Sequence, residues 1–261
     1  MASMTDFFEK KVLNTMLGTT AQAPSAVYVA LYMSDPTETG TMGTEVAYSG
    51  YARQVVSFSS PSTVGSGVKC SNIGDVIFPM PPSAAGTVTY AAIMDSLTGG
   101  NMLIYSELNN PISLSAEMTP KFSAGDIVLN MDSGNMSSEF KAKVLNLMRG
   151  TNIVGFTPYF AMYNGDPAAS GSELSGGGYS RILLSFSNPA EQASGHMQIS
   201  NTNTGTSSAA ESNWGTWSYG AIMDAETSGN IVWYKANTAS HNMVPGSRAN
   251  INAGAISCSV N

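Results

Sequence analysis

Lys11-Val12-Leu13-Asn14 returns as Lys143-Val144-Leu145-Asn146, and the first half of the chain returns behind it in the same order. Asp35-Pro36 becomes Asp166-Pro167, and Gly50-Tyr51-Ala52-Arg53 becomes Gly178-Tyr179-Ser180-Arg181. Ala92-Ile93-Met94-Asp95 becomes Ala221-Ile222-Met223-Asp224, Gly100-Asn101 becomes Gly229-Asn230, and Ala124-Gly125-Asp126-Ile127 becomes Ala253-Gly254-Ala255-Ile256. The offset starts at 132, falls to 128 and settles at 129, so the whole unit was duplicated and only a few residues were gained or lost. Repeats of about 20–50 residues build solenoids, whereas a unit of about 130 residues buries a core of its own. The sequence therefore predicts two tandem domains of one fold, residues 1–132 and 133–261, each expected to fold by itself. The short linker Asp132-Ser133-Gly134-Asn135-Met136-Ser137-Ser138 implies that they touch.

Each repeat opens with a helical pattern. Asp6 is placed to cap it with Glu9 three residues on, Phe8, Val12 and Met16 recur every fourth residue, and Gly18 ends it. Phe140, Val144 and Met148 repeat the stripe before Gly150, and Phe8 and Phe140 are expected to anchor in the core. Beyond the helix the pattern turns to short β-rich runs: Val27 to Tyr32 and its counterpart Pro158 to Tyr163, Arg53 to Phe58, and Val76 to Phe78. Thr87 to Met94 and Met102 to Tyr105 bracket Asp95-Ser96-Leu97-Thr98-Gly99-Gly100-Asn101 as a hairpin with a glycine-containing loop. One helix and about six or seven short strands per repeat give a mainly β fold, two tandem similar β-sandwich domains each with an N-terminal α-helix.

Only 11% of the 261 residues are charged, well under the roughly 25% of an average soluble domain, while Gly, Ser, Thr and Asn abound. Such a surface suits a loop-rich protein packed against neighbours. The net charge of −7 divides into −5 for residues 1–131 (five basic, ten acidic) and −2 for residues 132–261 (six basic, eight acidic). Without a basic cluster to neutralise phosphates, nucleic acid is not an expected partner. Cys70 and Cys258 fall at non-equivalent places and form neither a disulfide framework nor a zinc pattern. The N-terminus has acids where a secretory signal has bases, and no apolar stretch reaches membrane-spanning length. Assembly in the cytoplasm without membrane insertion is the expectation.

No enzymatic motif is present: no nucleophile elbow, phosphate-binding loop, zinc-protease pair or dinucleotide fingerprint. His196 and His241 lack counterparts in the first repeat and read as surface residues. Asp35, Glu38 and Glu45, with Asp166 and Glu173, lack the alternation of a calcium loop and read as turn residues, so no metal or cofactor is expected. Arg53 and Arg181, which follow Gly-Tyr at the same place in both repeats, are expected to pin a loop to the sheet by pairing with Glu45 and Glu173. Trp214, Trp217 and Trp233 stand where the first repeat has Ala85, Val88 and Ile104. Trp217 and Trp233 fall inside strands and are expected to fill core or interface volume, whereas Trp214, near a turn, is the candidate exposed partner contact, with core packing the alternative reading for each of the three.

The order of these elements carries a resemblance. A helix with Lys-Val-Leu-Asn, then Val27-Tyr28-Val29-Ala30-Leu31-Tyr32, Asp35-Pro36-Thr37-Glu38-Thr39-Gly40, Gly50-Tyr51-Ala52-Arg53-Gln54, Ile77-Phe78-Pro79, Gly86-Thr87-Val88-Thr89 and Ile93-Met94-Asp95 followed by Thr98-Gly99-Gly100-Asn101-Met102-Leu103 resembles the small tail fibre proteins of tailed bacteriophages. The resemblance covers residues 4–131, and residues 136–261 look like a diverged second copy. It implies a non-enzymatic, β-structured virion protein, oligomeric in the particle, in contact with tail, collar or capsid proteins and with a role at the host surface open to it. Two placements follow from it: a tail-associated fibre, appendage or attachment component, and alternatively a capsid decoration protein that cements the head lattice.

Overall fold

Thr5 and Ser137 start the two helices. In the computed structural model, which describes residues 3–116, 118–132 and 134–260, helix α1 (Asp6–Leu13) follows Thr5, whose hydroxyl accepts the Phe8 N–H at 3.4 Å. Helix α2 (Ser138–Leu147) follows Ser137, whose hydroxyl accepts the Phe140 N–H at 3.1 Å. The cap thus sits one residue before the expected Asp6, because the hydroxyl of an extended residue satisfies an orphan N–H of the first turn. Asp6 and Glu9 then lie within that turn, where the helix dipole favours negative charge. The first helix tightens into a 3-10 turn over Asn14–Leu17 and stops at Gly18, whose φ of +84° only glycine adopts freely. Phe8 and Phe140 are buried core anchors. Met1, Ala2 and Ser133, parts of the expected terminus and linker, lie outside the described residues.

In the first repeat a five-stranded antiparallel sheet has the order β1 (Ser3–Met4), β8 (Met102–Leu114), β7 (Gly86–Met94), β2 (Val27–Tyr32), β3 (Gln54–Val56). A smaller sheet of β10 (Val128–Met131), β5 (Gly67–Ser71) and β4 (Ser62–Val64) joins it across the core, and β6 (Val76–Ile77) pairs with β9 (Lys121–Phe122). The second repeat repeats the plan with β12 (Ser172–Glu173), β11 (Tyr159–Asn164), β17 (Gly215–Met223) and β18 (Ile231–Met243), β13 (Ile182–Leu183) pairing with β11. Its smaller sheet is β14 (Ala190–Glu191), β15 (Met197–Ser200) and β20 (Ser257–Ser259), and β16 (Gly205–Thr206) pairs with β19 (Asn250–Ile251). The fold is mainly β, two tandem sandwiches each led by a helix.

The hairpin of β7 and β8 runs further than its sequence suggests. Val88 pairs with Ile112 and Tyr90 with Glu107, so residues 108–111 bulge opposite the single residue Thr89. Asn109, Asn110 and Pro111 are poor strand formers held in that bulge, and they hid the second half of the strand. Trp217 pairing with His241 and Tyr219 with Ala236 makes the same bulge in the second repeat.

Strand β2 alternates. Val27, Val29 and Leu31 enter the main core, while Ala30 and Tyr32 join Ala92, Met94 and Met102 in a small cluster on the outer face. Ala161, Tyr163, Ala221 and Met223 form its counterpart. The main core is continuous through both repeats, from Phe8, Leu13 and Leu103 to Phe140, Ile199 and Val232. The reason is an exchange: α1 lies against β8 of its own repeat and against β15 and β20 of the other, while α2 lies against β18 and against β5 of the first repeat.

The axis of this exchange is visible in the backbone. The Ala21 N–H donates to Ile153 O at 2.8 Å and the Ile153 N–H to Ala21 O at 3.0 Å, and 153 − 21 = 132 is the duplication offset itself. Flanking it, the Ala23 N–H donates to Asn152 Oδ1 at 2.8 Å and the Gly155 N–H to Thr20 Oγ1 at 3.2 Å, again pairs of equivalents. Gly155 is required here, since a Cβ would stand 2.2 Å from the Gly18 carbonyl carbon. The halves therefore interlock where the sequence suggested two separately folding domains.

A continuous core gives one unfolding event. Leu13→Ala, at a fully buried position of the exchanged helix, is expected to cost about 2–5 kcal/mol and to move a single calorimetric transition. A melt in which one half unfolds while the other keeps the wild-type midpoint would contradict the shared core.

Candidate functional site

Residues that the two repeats have in common meet at one place in each repeat, beside the first long strand of its large sheet. Arg53 makes a two-pronged pair with Glu45, Nε to Oε1 at 2.9 Å and Nη2 to Oε2 at 2.8 Å. Its remaining Nη1 donates to Ser96 O at 2.9 Å and Gly99 O at 2.6 Å in the β7–β8 loop. Tyr51 completes the cluster: its hydroxyl donates to Glu45 Oε1 at 3.2 Å and accepts the Leu31 N–H at 3.0 Å. In the second repeat Arg181 holds Glu173 at 2.8 and 2.7 Å and donates to Ala225 O and Ser228 O, while Tyr179 bonds Glu173 at 2.9 Å and the Met162 N–H at 3.2 Å.

The gripped loop is itself locked. Asp95 Oδ1 accepts the Asn101 N–H at 2.6 Å, Asp224 does the same for Asn230 at 2.6 Å, and Gly100 and Gly229 lie at φ +70° and +71°. A Cβ on Gly100 would stand 2.4 Å from Asp95 Oδ1, which explains why Asp and Gly-Asn recur together. Burial, and after it the Glu173 carboxylate in the second repeat, pushes the Tyr51 and Tyr179 hydroxyls up, and the glutamate bond raises each arginine. Every polar atom of this cluster is already occupied, so it is built to hold a shape.

The two aspartates that open the loops have backbone donors. Asp35 Oδ1 takes the Thr37 N–H at 2.8 Å and Asp166 Oδ1 the Ala168 N–H at 2.9 Å. Among the described residues no group of three or more His, Cys, Asp or Glu is arranged to hold a metal.

Trp214 corrects its expectation: it is 4% exposed, its ring stands edge-on to Tyr179 at 5.4 Å, and its Nε1–H donates to Gly177 O at 2.8 Å. The cause lies in Gly176-Gly177-Gly178, because a Cβ on Gly176 would come within 2.7 Å of the indole. The first repeat has Tyr48 at the position of Gly176 and packs that ring edge-on to Tyr51 at 5.4 Å, with small Ala85 opposite. Trp214 thus refills from the other side the space that the glycine vacates. Trp233 is buried against Phe140 and Trp217 stands edge-on to Phe160.

Sequence reasoning missed the cross-repeat contacts of the helices. Glu9, read only as part of a helix start, is 1% exposed and reaches the other repeat, where Oε2 accepts the Met197 N–H at 2.6 Å and Oε1 lies 3.2 Å from His196 Nδ1. Glu38 Oε1 stands 3.9 Å from the same nitrogen. Lys141, at the position equivalent to Glu9, is 3% exposed and donates to Ser66 O of the first repeat at 3.2 Å. One helix site thus carries opposite charges in the two copies, each at a hairpin turn of the opposite repeat, and that reversal was the signal available in the sequence. Burial pushes the Glu9 carboxyl up to about 7, against the Met197 N–H and His196, which favour its ionised form.

Two tests follow from this geometry. Arg53→Ala is expected to cost about 2–3 kcal/mol in urea unfolding, below the value for a fully buried pair because Glu45 keeps 26% of its side chain exposed. Arg53→Lys is expected to recover little of that, since an ammonium cannot span both carboxylate oxygens and two loop carbonyls; full recovery would show that charge alone matters.

Glu9 sets a pH dependence. Its folded value lies above the unfolded one of 4.5, so its contribution is fully present below about 4.5 and is lost as pH rises through about 7. The wild type is expected to lose up to about 3 kcal/mol over that window relative to Glu9→Gln. Parallel stability curves for the two proteins would remove Glu9 from this role.

A family model described as podophage GP4 fiber I protein gp80 matches residues 3–130 and, a second time, residues 135–259. No curated protein sequence matches the chain.

Proposed function

The chain belongs to this family of podophage fibre proteins, and from that membership we propose that it is a non-enzymatic, tail-associated building block of the particle, in a fibre or in the piece that attaches one. The observation that carries the reading is that both repeats match the family over nearly their whole length. Three features of the molecule support it. The residues kept in both repeats, Arg53, Glu45 and Tyr51 with Arg181, Glu173 and Tyr179, spend their hydrogen bonds on one another and on a loop, which suits Arg53 and Arg181 to pinning that loop. The Cys70 thiol is pushed up to about 11 by burial and Cys258 is pushed up in the same way, so neither is an activated nucleophile. The interlocked repeats give one chain the pseudo-two-fold shape of a dimer, which offers two related surfaces to its neighbours in an assembly.

The test is the number of copies per particle, from quantitative mass spectrometry of purified virions against the major capsid protein. A ratio set by the symmetry of the tail, far below that of the capsid protein, is the expected result. A ratio near that of the capsid protein would replace this reading with decoration of the head lattice.

A further inference from the structure

The two repeats differ most in the loop between β2 and Glu45 and in its counterpart before Glu173. Nine residues separate Asp35 from Glu45, but only six separate Asp166 from Glu173. In the first repeat the longer loop folds back over the start of α1. Glu38 O accepts the Asp6 N–H at 2.9 Å, and Gly40, at φ +65°, lies so close that a Cβ would stand 3.0 Å from Met102 Cβ and 3.3 Å from Thr5 Cγ2. Thr5 and Met102 are buried beneath it, at 0% and 3% exposure.

In the second repeat the shorter loop closes on itself, with the Ala169 and Gly171 N–H groups both donating to Asp166 O at 3.0 and 2.8 Å. Over the start of α2 it leaves an open cavity of about 360 Å³ bounded by Ser137, Glu139, Tyr163, Asn230 and Ile231. Ser137 and Ile231 are the counterparts of Thr5 and Met102, and here they are only half-buried. Among the described residues no acceptor takes the Ser138 N–H, the counterpart of the one that Glu38 O takes. The charges at the rim are already paired: Arg181 with Glu173 at 2.7 Å, and Glu139 with Lys143 at 3.3 Å. The cavity therefore suits a neutral, carbonyl-bearing occupant better than an ion.

We propose that this cavity docks a glycine-bearing loop of a neighbouring protein chain. That loop supplies from outside what residues 36–42 supply from within in the first repeat: a main-chain carbonyl for the Ser138 N–H, and a residue without a side chain over Ser137 and Ile231. The fibre reading supplies the neighbour, but the geometry and its test stand without it.

The test uses the full chain, labelled with ¹⁵N, and the peptide Asp-Pro-Thr-Glu-Thr-Gly-Thr-Met-Gly-Thr, the sequence of residues 35–44. Saturable shifts of the Ser138, Asn230 and Ile231 amides are expected, with a peptide carrying Gly40→Val binding at least about tenfold more weakly. A variant in which residues 167–172 are replaced by the sequence of residues 36–44 fills its own cavity, and the peptide is expected to leave its spectrum unmoved. Ile231→Lys, which puts a long side chain into the cavity, is a second variant expected to lose the shifts, should the graft fail to give a dispersed spectrum. No saturable shift in the wild type, or equal shifts in the filled variants, would overturn the site. A copy number near that of the capsid protein would overturn the fibre reading and leave this site standing, whereas absent peptide binding would do the reverse.

Discussion

The reciprocal hydrogen bonds between Ala21 and Ile153 join a residue to its own duplicate. Such a pair forms only where the two copies are related by a two-fold axis, so this crossing fixes the arrangement of everything attached to it. From the crossing each chain segment runs back into its helix, and the helix lands on the smaller sheet of the other repeat. The smaller sheets gain through this exchange a further apolar cover from the helix of the other repeat. Burial of Val12, Leu13, Val144 and Leu147 to 0% exposure or close to it follows from the same placement.

The symmetry is broken where a single chain has no need to keep it. In a dimer of identical subunits every interface position appears twice, and a buried acid on one helix would meet its copy's environment unchanged. Here Glu9 and Lys141 occupy one position with opposite sign, and each finds a different partner on the facing turn. Near the axis the Phe156 N–H donates to Thr15 O at 2.9 Å, while its counterpart, Pro24, has no N–H to give. Joining the copies in one chain let each side of the interface adjust by itself.

Much of the fold was legible because the duplication marks it. The β class, the helices with Phe8 and Phe140 as anchors, and the hairpin around Asp95 to Asn101 all rest on local patterns that occur twice. The meeting of Arg53 with Glu45 was legible for a further reason, since a guanidinium that follows Gly-Tyr and a carboxylate eight residues back recur together in both repeats, and opposite charges that close in a low-charge chain find each other. The exchange of helices was not legible, because the apolar stripe of α1 specifies burial and not which sheet provides it. Trp214 misled for a related reason. A large aromatic beside a turn reads as exposed unless the three glycines that make room for it, far off in sequence, are weighed along with it.

Pinning and openness are two outcomes of the same architecture. The arginine clamps tie the glutamate-bearing segment to the β7–β8 loop and to its counterpart in the second repeat by the same set of bonds. What differs is the cover: the first repeat closes its site with residues of the same loop that carries Glu45, and the counterpart loop, three residues shorter, leaves the second without that cover. Had the clamp depended on the covering residues, the shorter loop would have loosened it. Instead the Arg181–Glu173 pair is as short as its counterpart, 2.7 against 2.8 Å. Holding and covering are separable functions of one loop, and a duplicated chain keeps the first in both copies while leaving one of the two surfaces uncovered.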